Sequence, residues 1–129
     1  MIVAGVGAQK GVAPDSMVTA IQHALSRHGV TQHDLGLILT SMAKGGEPAI
    51  REAASQLSVP LMVVDDRRLQ AAAPKCLTVS SHSIAATGLP SLSEAAAIVG
   101  AGPGGQLLGP RIVLNGVTCA IAKTGGATG

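Results

Sequence analysis

Ile2-Val3-Ala4-Gly5-Val6-Gly7-Ala8-Gln9-Lys10-Gly11, followed shortly by Pro14-Asp15-Ser16, decides the architecture. Residues 2–6 form a short apolar run closed by glycine, the signature of a buried strand. Pro14 fits the first position of a helix, and Asp15 falls where the helix dipole favours negative charge. Val18, Ile21 and Leu25 then recur at helical spacing, and Gly29 is placed to end the helix. A strand, a glycine turn and a helix in direct succession predict a β-α organisation.

Further along the chain the pattern repeats. Thr31 and Asp34 suggest a brief capped turn, and residues 35–40 read as a second strand. Pro48 opens a second helix with Ile50, Ala53, Ala54 and Leu57 inward. Pro60 ends it, and residues 61–64 are a third strand. Asp65 caps a short helical stretch through Leu69, and residues 76–80 read as a short strand or an extended loop. Ser91-Leu92-Ser93-Glu94 is a capping box before an Ala-rich helix over 92–99, which Gly100 is expected to stop. Residues 106–114 and 117–123 flank Asn115-Gly116, the best hairpin signal in the chain. The expectation is one α/β domain over 1–123, a mixed β-sheet with packed helices. It has β-α repeats in the first half, a C-terminal antiparallel hairpin and a flexible tail over 124–129.

Composition narrows the function. Of 129 residues, 47% are apolar, yet Phe, Tyr and Trp are absent, so Val, Ile, Leu, Met and Ala must fill the core. Single-stranded nucleic acid is usually held on aromatic stacking platforms, and this chain has none. A formal charge of +2 with scattered basic residues also argues against a nucleic-acid partner. No apolar run approaches the roughly 20 residues needed to span a bilayer, and the first residues lack the charged region of a signal peptide. A cytoplasmic protein with no membrane partner is expected. Cys76 and Cys119 lie too far apart for a zinc site and are expected in the core, without a disulfide. His23, His28 and His33 are spaced to scatter around a helix, so no metal site is expected.

Three constellations can carry chemistry. In the first, Gly5, Gly7 and Gly11 let a ligand approach backbone N–H groups, and Lys10 adds positive charge. The third glycine comes one residue late for the dinucleotide fingerprint, and the Gly-Lys-Ser/Thr of a P-loop is missing. A tight turn without ligand is the competing reading. In the second, Thr40, Ser41, Lys44 and Glu47 follow the second strand, at the end of a parallel sheet where ligands collect. They can grip a carboxylated or phosphorylated ligand, or Lys44 and Glu47 can form a solvated pair worth under about 1 kcal/mol. In the third, Ser80-Ser81-His82-Ser83 precedes Thr87-Gly88. Serines beside a histidine invite a hydrolase reading, but the nucleophile-elbow pattern is absent and no acid orients His82. Capping or ligand hydrogen bonding by Ser80 and Ser83 is the stronger reading. Arg67 and Arg68 read as a solvated helix start, and Lys123 closes the last strand.

Read in order, these segments resemble the CobE family of cobalamin biosynthesis, which is also the C-terminal domain of CbiG proteins. The family's opening G-x-G-x-x-x-G is matched by Gly5, Gly7 and Gly11, and its Lys and Glu-Pro by Lys44, Glu47 and Pro48. Its S-V-A-E-A-A-A block is matched by Ser91-Leu92-Ser93-Glu94-Ala95-Ala96-Ala97. The closing block, a basic residue, a turn and V-T-V-A-I-A, is matched by Arg111 and Val117-Thr118-Cys119-Ala120-Ile121-Ala122. Two departures stand out: Ala13 replaces a hydroxyl helix cap, and Ser81-His82-Ser83 replaces an Asn-Pro-Ser or Thr-Pro-Ser. The resemblance implies an α/β fold and a role on the corrin pathway. It points to a protein that binds a precorrin or corrinoid intermediate as a carrier or an accessory to other cobalamin-pathway enzymes. It also leaves an enzyme reading, hydrolysis of the ring-A lactone as in CbiG, with catalytic residues unassigned. A phosphate- or nucleotide-binding module is the third reading, and no resident cofactor is implied.

Overall fold

A computed structural model describes residues 1–42 and 47–125. Strand β1 (Ile2–Ala8) leads through the glycine turn into helix α1 (Pro14–Arg27), with Pro14 and Asp15 in its first turn as expected. Gly29, at φ 69°, terminates it. Val30 N–H donates to Leu25 O and Gly29 N–H to Ser26 O, the paired bonds of a glycine C-cap. A 3-10 turn (Gln32–Asp34), closed by reciprocal Thr31–Asp34 hydrogen bonds, leads into β2 (Leu35–Ser41). Then follow α2 (Pro48–Leu57), β3 (Leu61–Val64) and α3 (Asp66–Ala72), which Asp65 caps through Arg68 N–H. Helices α4 (Ser81–Thr87) and α5 (Leu92–Ala101) precede β4 (Gln106–Leu107), β5 (Ile112–Leu114) and β6 (Val117–Lys123).

The sheet order is β3-β2-β1-β6-β4, with β5 also paired to β6. Strands β1, β2 and β3 run parallel, and β6 lies antiparallel beside β1. The sheet is therefore mixed, as the sequence led us to expect. The hairpin strand β6 does not close an edge; it sits next to the first strand, and its partner segments form the border.

Two cores lie on opposite faces, because successive strand side chains alternate. Ile2, Ala4 and Val6 join Ile38, Cys119 and Ile121 under α1 and α2. Val3, Leu39, Ala120 and Ala122 lie under α3 and α5. The second face is built from small residues. A Cβ at Gly5 would collide with Ser93 O and reach within 2.5 Å of Ala97 N, so backbone meets backbone there. Ala95, Ala96 and Ala97 are fully buried in the same contact. This close approach is how a chain without aromatic residues fills its centre.

Three local expectations are revised. Helix α5 does not stop at Gly100 but continues to Ala101 and ends at Gly102, φ 72°. Gly100 serves packing instead: a Cβ there would strike the Leu39 side chain. Of the two readings open for residues 76–80 the loop holds, and the Ser81–Thr87 stretch that follows is a helix the sequence did not reveal. Ser80 accepts the Ser83 N–H at its start and Gly88 ends it in the left-handed region, ordinary caps at both ends. The predicted strand over 106–114 is two pieces, because Gly109-Pro110 interrupts the ladder and proline has no N–H to give. Thr124 N–H donates to Met1 O and Gly125 N–H to Ala101 O; the rest of the expected tail, 126–129, lies outside the described residues.

Candidate functional site

A cleft of about 270 Å³ opens at the carboxyl end of β1. Its floor is Gly7, Thr118 and Leu92. A Cβ at Gly7 would come within 2.9 Å of Thr118 Oγ1 and 3.5 Å of Leu92 Cδ2, so the glycine keeps the floor open. One wall is α4, which contributes Ser80, His82, Ser83, Ala86 and Thr87. The opposite wall is the β5–β6 hairpin, with Arg111, Val113 and Gly116. Asn115 (φ 51°) and Gly116 (φ 79°) adopt the left-handed conformations of a tight two-residue turn, which folds this wall back over Ala8 and Gln9.

The cleft's hydroxyls are partly engaged. Thr87 Oγ1 donates to Ser83 O at 2.8 Å and lies 3.4 Å from Ser83 Oγ. Ser80 Oγ accepts the Ser83 N–H at 3.2 Å. No acidic side chain pairs with Arg111 among the described residues, so its guanidinium is the permanent positive charge available at the cleft.

Beneath these walls lies Glu94, fully buried. Oε1 accepts the Leu77 and Thr78 N–H groups at 2.7 and 2.8 Å; Oε2 accepts the Thr78 hydroxyl at 2.6 Å and the Arg111 N–H at 2.8 Å. The capping box expected at Ser91 is therefore one-sided. Ser91 Oγ does accept the Glu94 N–H, at 3.3 Å, but the carboxylate bonds to distant segments. Next to it, the half-buried Cys76 thiol donates to Ser91 O at 3.6 Å and is pushed up to about 11 by burial and by the Glu94 charge. Cys119, in the first core, is pushed to about 12 by burial alone.

The residues singled out in the sequence separate into groups. Gly7, Ser80 and Ser83 meet in the cleft. Gly5 lies one pleat away, against α5. Lys10 and Gly11 are exposed on the turn beyond Gln9. Thr40 is buried and donates to Val6 O at 2.8 Å, which ties β2 to β1. Ser41 ends β2, and Glu47 is the residue before α2, its side chain making no cap bond. Lys44 lies outside the described residues. Arg111 and Thr118 were not singled out as site residues, and Thr87 stood only at the end of the serine cluster; only the fold brings the hairpin across from α4. Arg111 did stand in the sequence as the basic residue ahead of the Asn-Gly turn, which is the signal that could have marked it. Among the described residues, no three His, Cys, Asp or Glu side chains gather, and no single helix is long and apolar enough to cross a membrane.

Comparison with known proteins gives a consistent picture. Residues 2–122 match the family described as cobalamin synthesis G C-terminus. Protein CobE of a Sinorhizobium species is 33% identical over 121 residues, covering 94% of this chain and 79% of that protein. The crystal structure of CobE, a protein from the cobalamin biosynthetic pathway, superposes with a TM-score of 0.89 at 27% identity, over 95% of this chain and 89% of that one. The cobalamin biosynthesis protein chiG from Agrobacterium tumefaciens is 41% identical, with a TM-score of 0.77 and coverage of 96% and 98%. A cobalamin biosynthesis protein G homologue from Sulfolobus solfataricus shares the fold at 21% identity, with a TM-score of 0.72. This chain covers 36% of its length, and 94% of this chain is matched.

Proposed function

Because this chain belongs to the cobalamin synthesis G C-terminal family, that of CobE, we propose that its cleft binds a precorrin or corrinoid intermediate, as a carrier or an accessory to a pathway enzyme. The observation that carries this reading is the cleft's composition. Arg111, with no acidic partner among the described residues, and the hydroxyls of Ser80, Ser83 and Thr118 stand beside the apolar Ala8, Ala86, Leu92 and Val113. A macrocycle bearing carboxylate arms needs that combination, charged hydrogen bonds for the arms and apolar contact for the ring.

Size supports the carrier role. Pockets that enclose a small molecule usually measure about 300–1,000 Å³, and the cleft, at about 270 Å³, is too small to enclose a whole tetrapyrrole. The rest of the ring stays accessible to a second protein. Lys10 follows Gln9, which lines the cleft, and Lys44 and Glu47 keep the assignment drawn from the sequence. The other readings find less support. Among the described residues no hydrogen bond joins His82 to Ser83, whose hydroxyl lies against Thr87 instead, so no base is set on a nucleophile. In the glycine turn the Gln9 and Val12 amides already donate to Gly116 O and Gln9 O, which leaves fewer donors for a phosphate.

A visible-absorption titration with precorrin intermediates tests the proposal. A saturable spectral shift without product is the expected result, and Arg111→Ala should weaken it about tenfold, the usual loss for a hydrogen bond to a charged group. Lys10→Ala should weaken it less. A shift followed by product would make the protein an enzyme. No shift, and no pigment carried through purification, would remove the corrinoid reading.

A further inference from the structure

The segments that form the cleft have little secondary structure where they meet. Residues 76–79 belong to no helix or strand, and α4 springs from them. On the other wall Gly109-Pro110 breaks the edge strand, and the β5–β6 pairing begins only at Ile112, opposite Cys119. Arg111 is thus the first residue after a break, outside the ladder. Its N–H is bonded to Glu94 Oε2.

Glu94 joins the two sides. In a capping box a Glu in the first helical turn reaches back to its own helix start. This one reaches Leu77, Thr78 and Arg111, each sixteen or seventeen residues away. The carboxylate is fully buried, and among the described residues no Lys or Arg side chain pairs with it. The donors hold it instead, and they fill the two oxygens' capacity for acceptance. Its place in the first turn of α5 adds the favourable end of the helix dipole.

Resting on the corrinoid-binding reading, we propose that Glu94 is a positioning residue. It ties the Leu77 and Thr78 loop to the Arg111 backbone and so holds Arg111 where it selects free carboxylate arms over amidated ones. Arg111 itself makes the contact; Glu94 acts through it. The ligand class follows from the charge: a corrin ring whose arms are still acids gains from the guanidinium, and an amidated ring does not.

Atom placement specifies the decisive variant. In Glu94→Gln one oxygen becomes an NH₂ group, which cannot accept. Turned toward Leu77 and Thr78, that group would face two backbone donors. Turned the other way it faces the Thr78 hydroxyl, which can rotate to accept, and the Arg111 N–H, which cannot. The amide variant therefore keeps the loop and releases Arg111. Thr78→Val is the milder companion. It removes the hydroxyl that shares Oε2 with Arg111 and guards against a Glu94→Gln protein that fails to fold.

The experiment compares affinities for cobyrinic acid, whose arms are carboxylates, and cobinamide, whose arms are amides. Amide hydrogen exchange at Leu77, Thr78 and Arg111 is followed in the same proteins by NMR. The wild type should prefer cobyrinic acid, and Arg111→Ala should abolish the preference. Glu94→Gln should speed exchange at Arg111 but not at Leu77 and cut the preference about tenfold; Thr78→Val should cut it about threefold. The double variant Glu94→Gln/Arg111→Ala should be no worse than Arg111→Ala alone, the sign of one shared pathway. If Arg111 exchange accelerates while the preference is kept, or both affinities fall equally, Glu94 does not position Arg111 and the inference is overturned. A wild type that binds both corrins equally overturns the inference alone. One that binds neither overturns the corrinoid reading with it.

Discussion

Ser58 closes α2 with φ 56°, a left-handed conformation that costs a residue with a Cβ roughly 1 kcal/mol or more. Ser58→Gly should therefore stabilise the protein by about 1 kcal/mol, read as a higher midpoint in urea. Gly5 predicts the opposite. Gly5→Ala places a methyl against the backbone of α5 and should cost about 3 kcal/mol or abolish folding, measured by the same titration. The sequence marked Gly5 as special, with a ligand or a tight turn as the reasons on offer, and the structure adds the close approach of a helix. Glycine after a strand has the same appearance in either case, because the missing Cβ serves whichever neighbour comes close. The thiols make a third test. With Cys119 fully buried and its thiol pushed to about 12, a thiol reagent at pH 8 should label it only on unfolding, so labelling reports opening.

Elements were more legible than single residues. Helices α1 and α2 and strand β3 begin where their proline and apolar patterns place them, because caps and periodicity are local effects. Helix α4 was missed, although Ser80 and Gly88 cap it. It spans only seven residues, too few for its periodicity to stand out from the surrounding serines. The α1 C-terminus carries a pH prediction. His28 sits at that C-cap, and its imidazole is held below the usual 6.5 by burial and by the adjacent Arg27 charge. Gly109 lies so close that a Cβ there would approach His28 Cε1 to 2.7 Å. As pH falls below 6.5 the unfolded chain takes up a proton that folded His28 resists, so stability declines until the folded imidazole protonates too. Urea midpoints measured between pH 7.5 and 5 should show this decline. His28→Gln should remove its contribution to the slope.

At the scale of the molecule, charge governs the proposed binding. Corrinoid affinity should fall as salt is raised, and Arg111→Ala should flatten that dependence, because the pairing it loses is the one salt screens. Comparison of titrations at low and high ionic strength checks this. The amino-acid order alone determined the β-α start, the Asn-Gly hairpin, the aromatic-free core and the family blocks, since each depends on residues within a few positions of one another. It also placed Gly7, Ser80 and Ser83 among the candidates. The tertiary structure alone decided that β6 lies against β1, that the hairpin faces α4, and that Arg111 rather than a turn lysine stands at the cleft. It alone turned Glu94 from a helix cap into a tie between distant segments. Strand order and a buried carboxylate's partners are contacts between residues far apart in the chain, and they are selected by burial and hydrogen-bond satisfaction over the whole fold. No local pattern encodes them.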